Sequence, residues 1–180
     1  MSTKLLVPTD FTEVAHTAIQ HAVKLGEIIN AEIILLNVVK DKDDVTGATK
    51  KLKQEEDYAK SIYKDSNIKT IVRVGNIFDD IGDAASEVGA NLIIMGTHGA
   101  SGWQKVTGSY ALKVITNSSV PFIVVQDEMM KDSGYDSVMG SRFIKGSAVS
   151  GVSIKLHKHN EDVNLPARVL VASSIDVEVT

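Results

Sequence analysis

The stretch Leu92-Ile93-Ile94-Met95-Gly96-Thr97-His98-Gly99 decides the fold of this 180-residue chain. Its first four residues form a short apolar run, which is typical of a strand buried on both faces of a sheet. The closely spaced glycines let the backbone turn and expose N–H groups, and Gly108-Ser109 follows where another helix is predicted to begin. N–H groups beside a helix N-terminus attract an anion such as phosphate. The stretch therefore predicts a buried strand that leads into an anion-binding loop.

Four further apolar runs accompany this strand, and patterns of helical spacing separate them. The predicted strands are Leu5 to Val7, Ile33 to Val39, Thr70 to Val74, Leu92 to Met95 and Pro121 to Val125. The predicted helices run from Phe11 to about Gly26, from Ala48 to Lys64, from Ile77 to Gly89 and from Ser109 to Thr116. Strands that alternate with helices predict an α/β fold with a doubly wound, five-stranded parallel sheet in the order 3-2-1-4-5. Helices are expected on both faces of the sheet.

The alternating pattern stops near the end of the fifth strand. Residues 1–127 are predicted to form one domain, and residues 128–180 a linker and a C-terminal extension. Within the extension, Val152 to Leu156 and Ala167 to Val179 have the composition of two strands around a turn. The sequence leaves open whether the extension is a hairpin packed on the domain, a partner-binding segment, a disordered segment or an abnormal coding end. His157 and His159 would share one face of a strand, but two histidines without a third ligand favour a solvated strand over a metal site.

Composition excludes several classes of function. The net charge of −4 and the aromatic fraction of 5% argue against a nucleic-acid partner, because neither a basic patch nor a stacking surface is available. The chain has no cysteine, which fits a reducing compartment. The apolar run at Leu5 to Val7 is too short for a signal peptide, and no stretch is long enough to span a bilayer. We expect a cytoplasmic protein with no membrane partner.

Three polar or glycine-rich segments follow predicted strands directly. They are Pro8-Thr9-Asp10 after the first strand, Asn37-Val38-Val39 at the end of the second, and Gly96 to Gly99 after the fourth. In doubly wound sheets, ligands bind at the carboxyl ends of the strands, where the strand order reverses. With the first and fourth strands adjacent, the three segments converge on one crevice.

Four separated motifs resemble those of the universal stress protein family. Gly96-Thr97-His98-Gly99 followed by Gly108-Ser109 is similar to the family's glycine motif, and Asn91 to Gly99 is close to its consensus. Leu5 to Asp10 resembles its first strand with a terminal aspartate, and Leu35 to Val38 its second. The resemblance covers about residues 1–126 and supports the same fold.

Resemblance to the ATP-binding branch of the family implies a role for each motif. Asp10 would accept hydrogen bonds from ribose hydroxyls or help to hold Mg²⁺, and Val38 would contact adenine. The glycines and Ser109 would surround the phosphates. The residues predicted to bind the nucleotide are Pro8, Thr9, Asp10, Val38, Met95, Gly96, His98, Gly99, Gly102, Gly108, Ser109 and Tyr110. The predicted cofactor is ATP, with Mg²⁺.

Several alternatives remain open at this level. Eight residues separate Gly99 from Gly108, one fewer than is usual in the ATP-binding pattern. One alternative is therefore the same fold with an empty crevice, which would act through assembly alone. The other is that Gly102 compensates for the missing residue by adopting a positive φ, so that the nucleotide still binds. Asp10 would cap the first helix, with Glu13 as its capping-box partner. His98 would contact a phosphate or serve only as a local hydrogen-bonding residue, and in neither case is it predicted to act as a base.

Apart from the share of Asp10 in holding nucleotide-bound Mg²⁺ that the resemblance implies, no catalytic residue and no dedicated metal site is predicted, because the sequence lacks a P-loop, a nucleophile elbow and an HExxH motif. The resemblance implies a homodimer joined through strand 122–125, which would be an apolar sheet edge. The alternative is that the C-terminal extension covers this edge.

Overall fold

The computed structural model describes residues 2–96 and 118–125 in full, together with the backbone of residues 138–139, 152–158 and 169–179. These residues form one mixed sheet with helices packed on it. The strands are β1 (Lys4–Pro8), β2 (Glu32–Val39), β3 (Asn67–Val74), β4 (Leu92–Gly96), β5 (Phe122–Val125), β6 (Val138–Met139), β7 (Val152–Lys158) and β8 (Val169–Val179). The helices are α1 (Glu13–Ile29), α2 (Val45–Ile62) and α3 (Ile77–Val88), and a 3-10 turn spans Lys42–Asp44.

The first five strands confirm the predicted parallel sheet and its order. The full order is β3-β2-β1-β4-β5-β8-β7-β6, which contains the predicted 3-2-1-4-5 arrangement. β1 pairs in parallel with β2 on one side and with β4 on the other. The strand order therefore reverses between β1 and β4, as the sequence analysis predicted.

Alternate residues of the parallel strands enter two separate cores. Leu5, Val7, Ile94 and Val125 pack with α1 and α2 on one face of the sheet. Their neighbours along the chain, such as Leu6 and Ile93, pack with α3 on the opposite face. This alternation follows from the two-residue period of a strand, and it confirms that helices cover both faces.

Helix α1 buries the apolar stripe that the sequence predicted. Val14, Ala15, Ala18, Ile19, Ala22, Val23, Leu25 and Gly26 are all buried. The helix continues past Gly26 to Ile29 and ends at Asn30, which is left-handed with φ 51°. The prediction that Asp10 caps this helix is wrong. Thr12 is the N-cap, because its side chain accepts the hydrogen bond from the Ala15 amide, and Glu13 is the first helical residue.

Helix α2 begins three residues before the predicted position and carries one buried charge that the sequence did not predict. Glu55 is 5% exposed, and its Oε1 lies 2.8 Å from His16 Nε2 on α1. Because this partner lies on another helix, the periodicity of α2 does not reveal the pair. Helix α3 ends at Gly89, which is left-handed with φ 67°, in agreement with the predicted stop at this glycine.

The C-terminal strands extend the same sheet. β7 and β8 are antiparallel, as predicted for a hairpin, and β8 also pairs in parallel with β5. The prediction that strand 122–125 forms a sheet edge is therefore wrong, and the alternative, that the extension covers it, is confirmed. The predicted helix Ser109 to Thr116 and residue His159 lie outside the described residues. His157 lies in β7, at a shift in its register with β8.

Candidate functional site

The candidate site is the point where the carboxyl ends of β1, β2 and β4 meet. Leu5 and Leu6 pair with Leu92 and Ile93, and continuation of this register sets Thr9 beside Gly96. On the other side of β1, Pro8 pairs with Leu36, and continuation of this register places Asp10 beside Val38. Three of the sequence segments predicted to converge are thus brought together by strand pairing alone.

A buried hydrogen bond fixes the turn after β1. The side chain of Asn37 donates from Nδ2 to the Thr9 carbonyl oxygen at 2.7 Å, and the Thr9 amide donates to the Leu36 carbonyl oxygen at 2.8 Å. Thr9 and Asn37 are 5% and 7% exposed. Loss of a hydrogen bond between buried groups costs more than loss of one at the surface, because water cannot replace the partner. Asn37 therefore holds β1 and β2 in position at their ends.

Asp10 follows this fixed turn and is exposed to solvent. Its Oδ1 accepts hydrogen bonds from Thr12 Oγ1 at 2.6 Å and from the Thr12 amide at 3.3 Å. Phe11 between them is left-handed with φ 68°, a strained conformation for an aromatic residue. The Phe11 amide donates to Thr9 Oγ1 at 3.0 Å. The turn thus holds an exposed carboxylate on a strained but hydrogen-bonded backbone.

Gly96, at the end of β4, packs directly against the first turn of α1. A Cβ atom at this position would lie 2.6 Å from Val14 Cγ1 and 3.0 Å from the carbonyl carbon and oxygen of Val14. Real Cβ contacts are not this short, so a side chain would push α1 away from the sheet. The residue is therefore a glycine for a packing reason that applies whether or not a ligand binds. The close contact also brings the N-terminal turn of α1 to the start of the glycine-rich segment.

The remaining described residues of the predicted set differ in exposure. Pro8 and Val38 are half-buried, and Val38 packs on the core that contains α3. Met95 is 4% exposed in the same core, so its side chain serves packing and only its backbone is left to face a ligand. The other predicted site residues lie outside the described residues: His98, Gly99, Gly102, Gly108, Ser109 and Tyr110.

Two residues that shape this site are not among the predicted site residues. Asn37 lies at a predicted strand end, and an amide within an otherwise apolar run indicates a hydrogen bond to buried backbone. The left-handed Phe11 had no signal in the sequence, because aromatic residues rarely adopt this conformation. Lys51 Nζ lies 5.1 Å from the centroid of the Phe11 ring, so α2 also contacts the turn.

In the part of the chain that the structure describes, no three His, Asp or Glu side chains lie together in a way that suits a metal ion. Of the helices described, none is both long and apolar enough to cross a membrane.

The fold and the site define a doubly wound α/β protein with a crevice at the β1–β4 reversal point. A family model described as the universal stress protein family matches residues 1–126, and the chain belongs to this family. Universal stress protein MJ0577 of Methanocaldococcus jannaschii is 27% identical over 155 residues, which are 70% of this chain and 96% of the relative. Members of the family are generally regulators rather than classical enzymes.

Two solved structures show the same fold at lower identity. A universal stress protein in complex with cAMP has 22% identity and a TM-score of 0.60, and the match covers 69% of this chain and 97% of that one. The universal stress protein of Archaeoglobus fulgidus in complex with dAMP has 18% identity and a TM-score of 0.56, with 69% and 97% covered.

Proposed function

We propose that this chain binds an adenine nucleotide, ATP with Mg²⁺ in particular, in the crevice between the carboxyl ends of β1 and β4. Its output is regulatory, in a stress response or in signalling. The observation that carries the proposal is the position of Asp10, an exposed carboxylate at the strand-order reversal, on a turn that the buried Asn37–Thr9 hydrogen bond fixes. The structural neighbours in complex with cAMP and dAMP support the choice of an adenine nucleotide.

Each residue of the crevice has a chemically suitable role. Asp10 accepts hydrogen bonds from ribose hydroxyls or shares in holding Mg²⁺, which prefers carboxylate and phosphate oxygens. Val38 offers backbone groups and a half-buried apolar surface to adenine. Beyond Gly96, the backbone N–H groups of Gly99, Gly102, Gly108 and Ser109 bind the phosphates. Bound Mg²⁺ would neutralise part of the phosphate charge.

The proposal includes the absence of an efficient hydrolytic step. The sequence supplies no P-loop lysine, and His98 is not assigned as a base. The consequence of binding is therefore a change of conformation or assembly. Release of phosphate from ATP at a rate no greater than in buffer is the expected result, and multiple turnovers would contradict this part of the proposal. A cytoplasmic location also belongs to the proposal.

Calorimetry with ATP and Mg²⁺ on the full chain tests the proposal. Wild-type protein is expected to bind, and Asp10→Ala is expected to lower the affinity about ten- to hundredfold, because it removes charge-assisted hydrogen bonds. Asp79→Ala is the matched control, since Asp79 is an exposed carboxylate in the first turn of α3, beside another strand end. It is expected to leave the affinity unchanged.

A second candidate is an interaction module with an empty crevice. The spacing between Gly99 and Gly108, one residue shorter than the usual ATP-binding pattern, favours it. The same calorimetry separates the two functions, because absence of binding at millimolar nucleotide would contradict the first and leave the second.

A further inference from the structure

Phe11 lies where the candidate site meets helix α2. It directly follows Asp10, its backbone is left-handed with φ 68°, and its amide donates to Thr9 Oγ1 at 3.0 Å. Glycine adopts this backbone conformation readily, whereas an aromatic residue is strained in it and needs surrounding contacts to stay there. The contacts that hold Phe11 in this conformation therefore also fix the position of Asp10.

Two contacts hold the Phe11 ring. The half-buried side chain packs against the core that α1 and α2 form with the sheet. Lys51 Nζ, on α2, lies 5.1 Å from the centroid of the ring. This distance is within the range of a cation–π contact, in which the negative face of the ring attracts the ammonium group. The ring is thus held by the core and by a cation of α2.

Helix α2 is itself anchored on α1, so Lys51 has a fixed position. Leu52, the next residue, is 1% exposed in the same core. One turn further along α2, Glu55 Oε1 lies 2.8 Å from Nε2 of His16 on α1. Residues four apart lie on the same side of a helix, so Lys51 and Glu55 approach α1 together. The helix that carries Lys51 is therefore tied to the helix that begins after the Asp10 turn.

We propose that Phe11 and Lys51 are positioning residues for the nucleotide site. Lys51 holds the Phe11 ring, and Phe11 holds the turn in the conformation that leaves Asp10 exposed at the strand-order reversal. Both residues act through Asp10, and neither is assigned a contact with the nucleotide. This inference rests on the proposed function and adds a control of it. The affinity of the crevice depends on the position of α2, a helix that contributes no predicted ligand contact.

Glycine substitution separates the role of the ring from the strain of the backbone. Phe11→Gly keeps the left-handed conformation accessible but removes the ring, and ATP affinity is expected to fall about tenfold if the competent turn is then populated about a tenth of the time. Phe11→Tyr keeps the ring and is expected to retain the affinity. Asn30→Gly is the matched control, because Asn30 is also left-handed, with φ 51°, but lies at the far end of α1. Unchanged or tighter binding by Phe11→Gly in calorimetry would overturn the proposal.

Substitution of Lys51 tests the contribution of α2. Lys51→Met keeps an unbranched apolar stem and removes the cation over the Phe11 ring, and it is expected to lower ATP affinity about two- to fivefold. Lys51→Arg restores a cation and is expected to restore the affinity. Lys50→Met is the control for attraction between lysine and phosphate, since the exposed Lys50 lines a groove with Thr70 of β3. Equal losses in Lys51→Met and Lys50→Met would overturn the proposal.

Amide NMR of the nucleotide-free chain tests the same contact without ATP. Lys51→Met is expected to shift the signals of Asp10 and Thr12, because displacement of the Phe11 ring changes its ring current at neighbouring amides. Lys50→Met is expected to leave both signals in place. If these signals shift but wild type binds no ATP, the proposed function fails while the hold of α2 on the turn stands. Unshifted signals in Lys51→Met would overturn the inference even where ATP binds.

Discussion

The turns from β1 into α1 and from β3 into α3 share their topology but use their carboxylates differently. After β3, the Asp80 carboxylate accepts hydrogen bonds from the Asn76 amide at 2.6 Å and from Arg73 Nε at 2.5 Å. After β1, the Asp10 carboxylate is exposed and bonds to Thr12 within its own turn. The first arrangement neutralises the charge inside the structure. The second presents the charge to solvent at the strand-order reversal.

The two turns also differ in the backbone residue that shapes them. In the β3–α3 turn, a Cβ atom at Gly75 would lie only 2.0 Å from the Asp80 carboxylate. The absence of a side chain at Gly75 therefore lets the Asp80 carboxylate pack against the backbone of this turn. The β1–α1 turn contains the left-handed Phe11. Strained residues persist where the surrounding structure holds them, and they cluster at functional sites. The two turns therefore share a topology but differ in their position in the sheet, and the turn at the strand-order reversal is the one that carries the candidate site.

The largest expected effect comes from the buried bond that fixes the β1–α1 turn. Asn37→Leu leaves the Thr9 carbonyl without its partner and is expected to lower the free energy of unfolding by about 1–3 kcal/mol and to weaken ATP binding. Urea denaturation and calorimetry measure the two effects. The control is Asn91→Leu, since Asn91 accepts from the Lys4 amide at the exposed, opposite end of β1. Equal losses in both variants would contradict the special role of Asn37.

The contact between Gly96 and α1 comes next. Gly96→Ala places a methyl group against the Val14 backbone and is expected to cost about 1–2 kcal/mol. Gly47→Ala in α2 is the matched substitution, because nothing lies within 4 Å of its added Cβ. It is expected to stabilise the protein by up to about 1 kcal/mol, since alanine favours helix. Thermal unfolding of both variants checks the opposite signs, and stabilisation by Gly96→Ala would show that the packing account is wrong.

The two N-caps provide a smaller and sharper comparison. Thr12→Ala and Asn76→Ala each remove a cap and are expected to cost about 1 kcal/mol. Only Thr12 also holds the Asp10 carboxylate, so only Thr12→Ala is expected to change ATP affinity. Calorimetry on the two variants distinguishes them, and an equal change in affinity would place the ligand elsewhere.

The smallest expected effect is on the stability of the protein at acidic pH. The hydrogen bond from Arg73 holds the pKa of Glu87 below its usual range. A lowered pKa in the folded state adds stability above the unfolded value of about 4.3, and this contribution is lost as the pH falls through the folded value. The stability of wild type is therefore expected to fall slightly more than that of Glu87→Gln between about pH 5 and pH 3. Identical pH profiles in denaturation experiments would contradict a role for this ion pair.

Local sequence patterns predicted most of the fold, because each parallel strand and each buried helical face is formed by residues that lie close together in the sequence. The order 3-2-1-4-5 and the buried residues of α1 followed from apolar spacing and the family resemblance. The pairing of Glu55 with His16 did not follow, and the addition of β8 to β5 was only one of two alternatives that the sequence left open, since both depend on residues far apart in the chain.

The candidate site was predicted in position but not in detail. Strand ends predicted that Thr9, Asp10, Val38 and Gly96 come together. The capping prediction failed because Asp10 and Thr12 are both good capping residues, and only the backbone conformation at Phe11 selects Thr12. The contact of Gly96 with Val14 was equally invisible, because a glycine in sequence gives no sign of which neighbour approaches it.

The most direct test of the proposed site is an amide NMR titration of the full chain with ATP and Mg²⁺. If the nucleotide binds at the β1–β4 crevice, we expect saturable shifts at Thr9, Asp10, Val38 and Gly96, and unchanged signals at Gly75, Asn76 and Phe78 of the β3–α3 turn. Absence of shifts at millimolar ATP, or shifts confined to the β3–α3 turn, would contradict it.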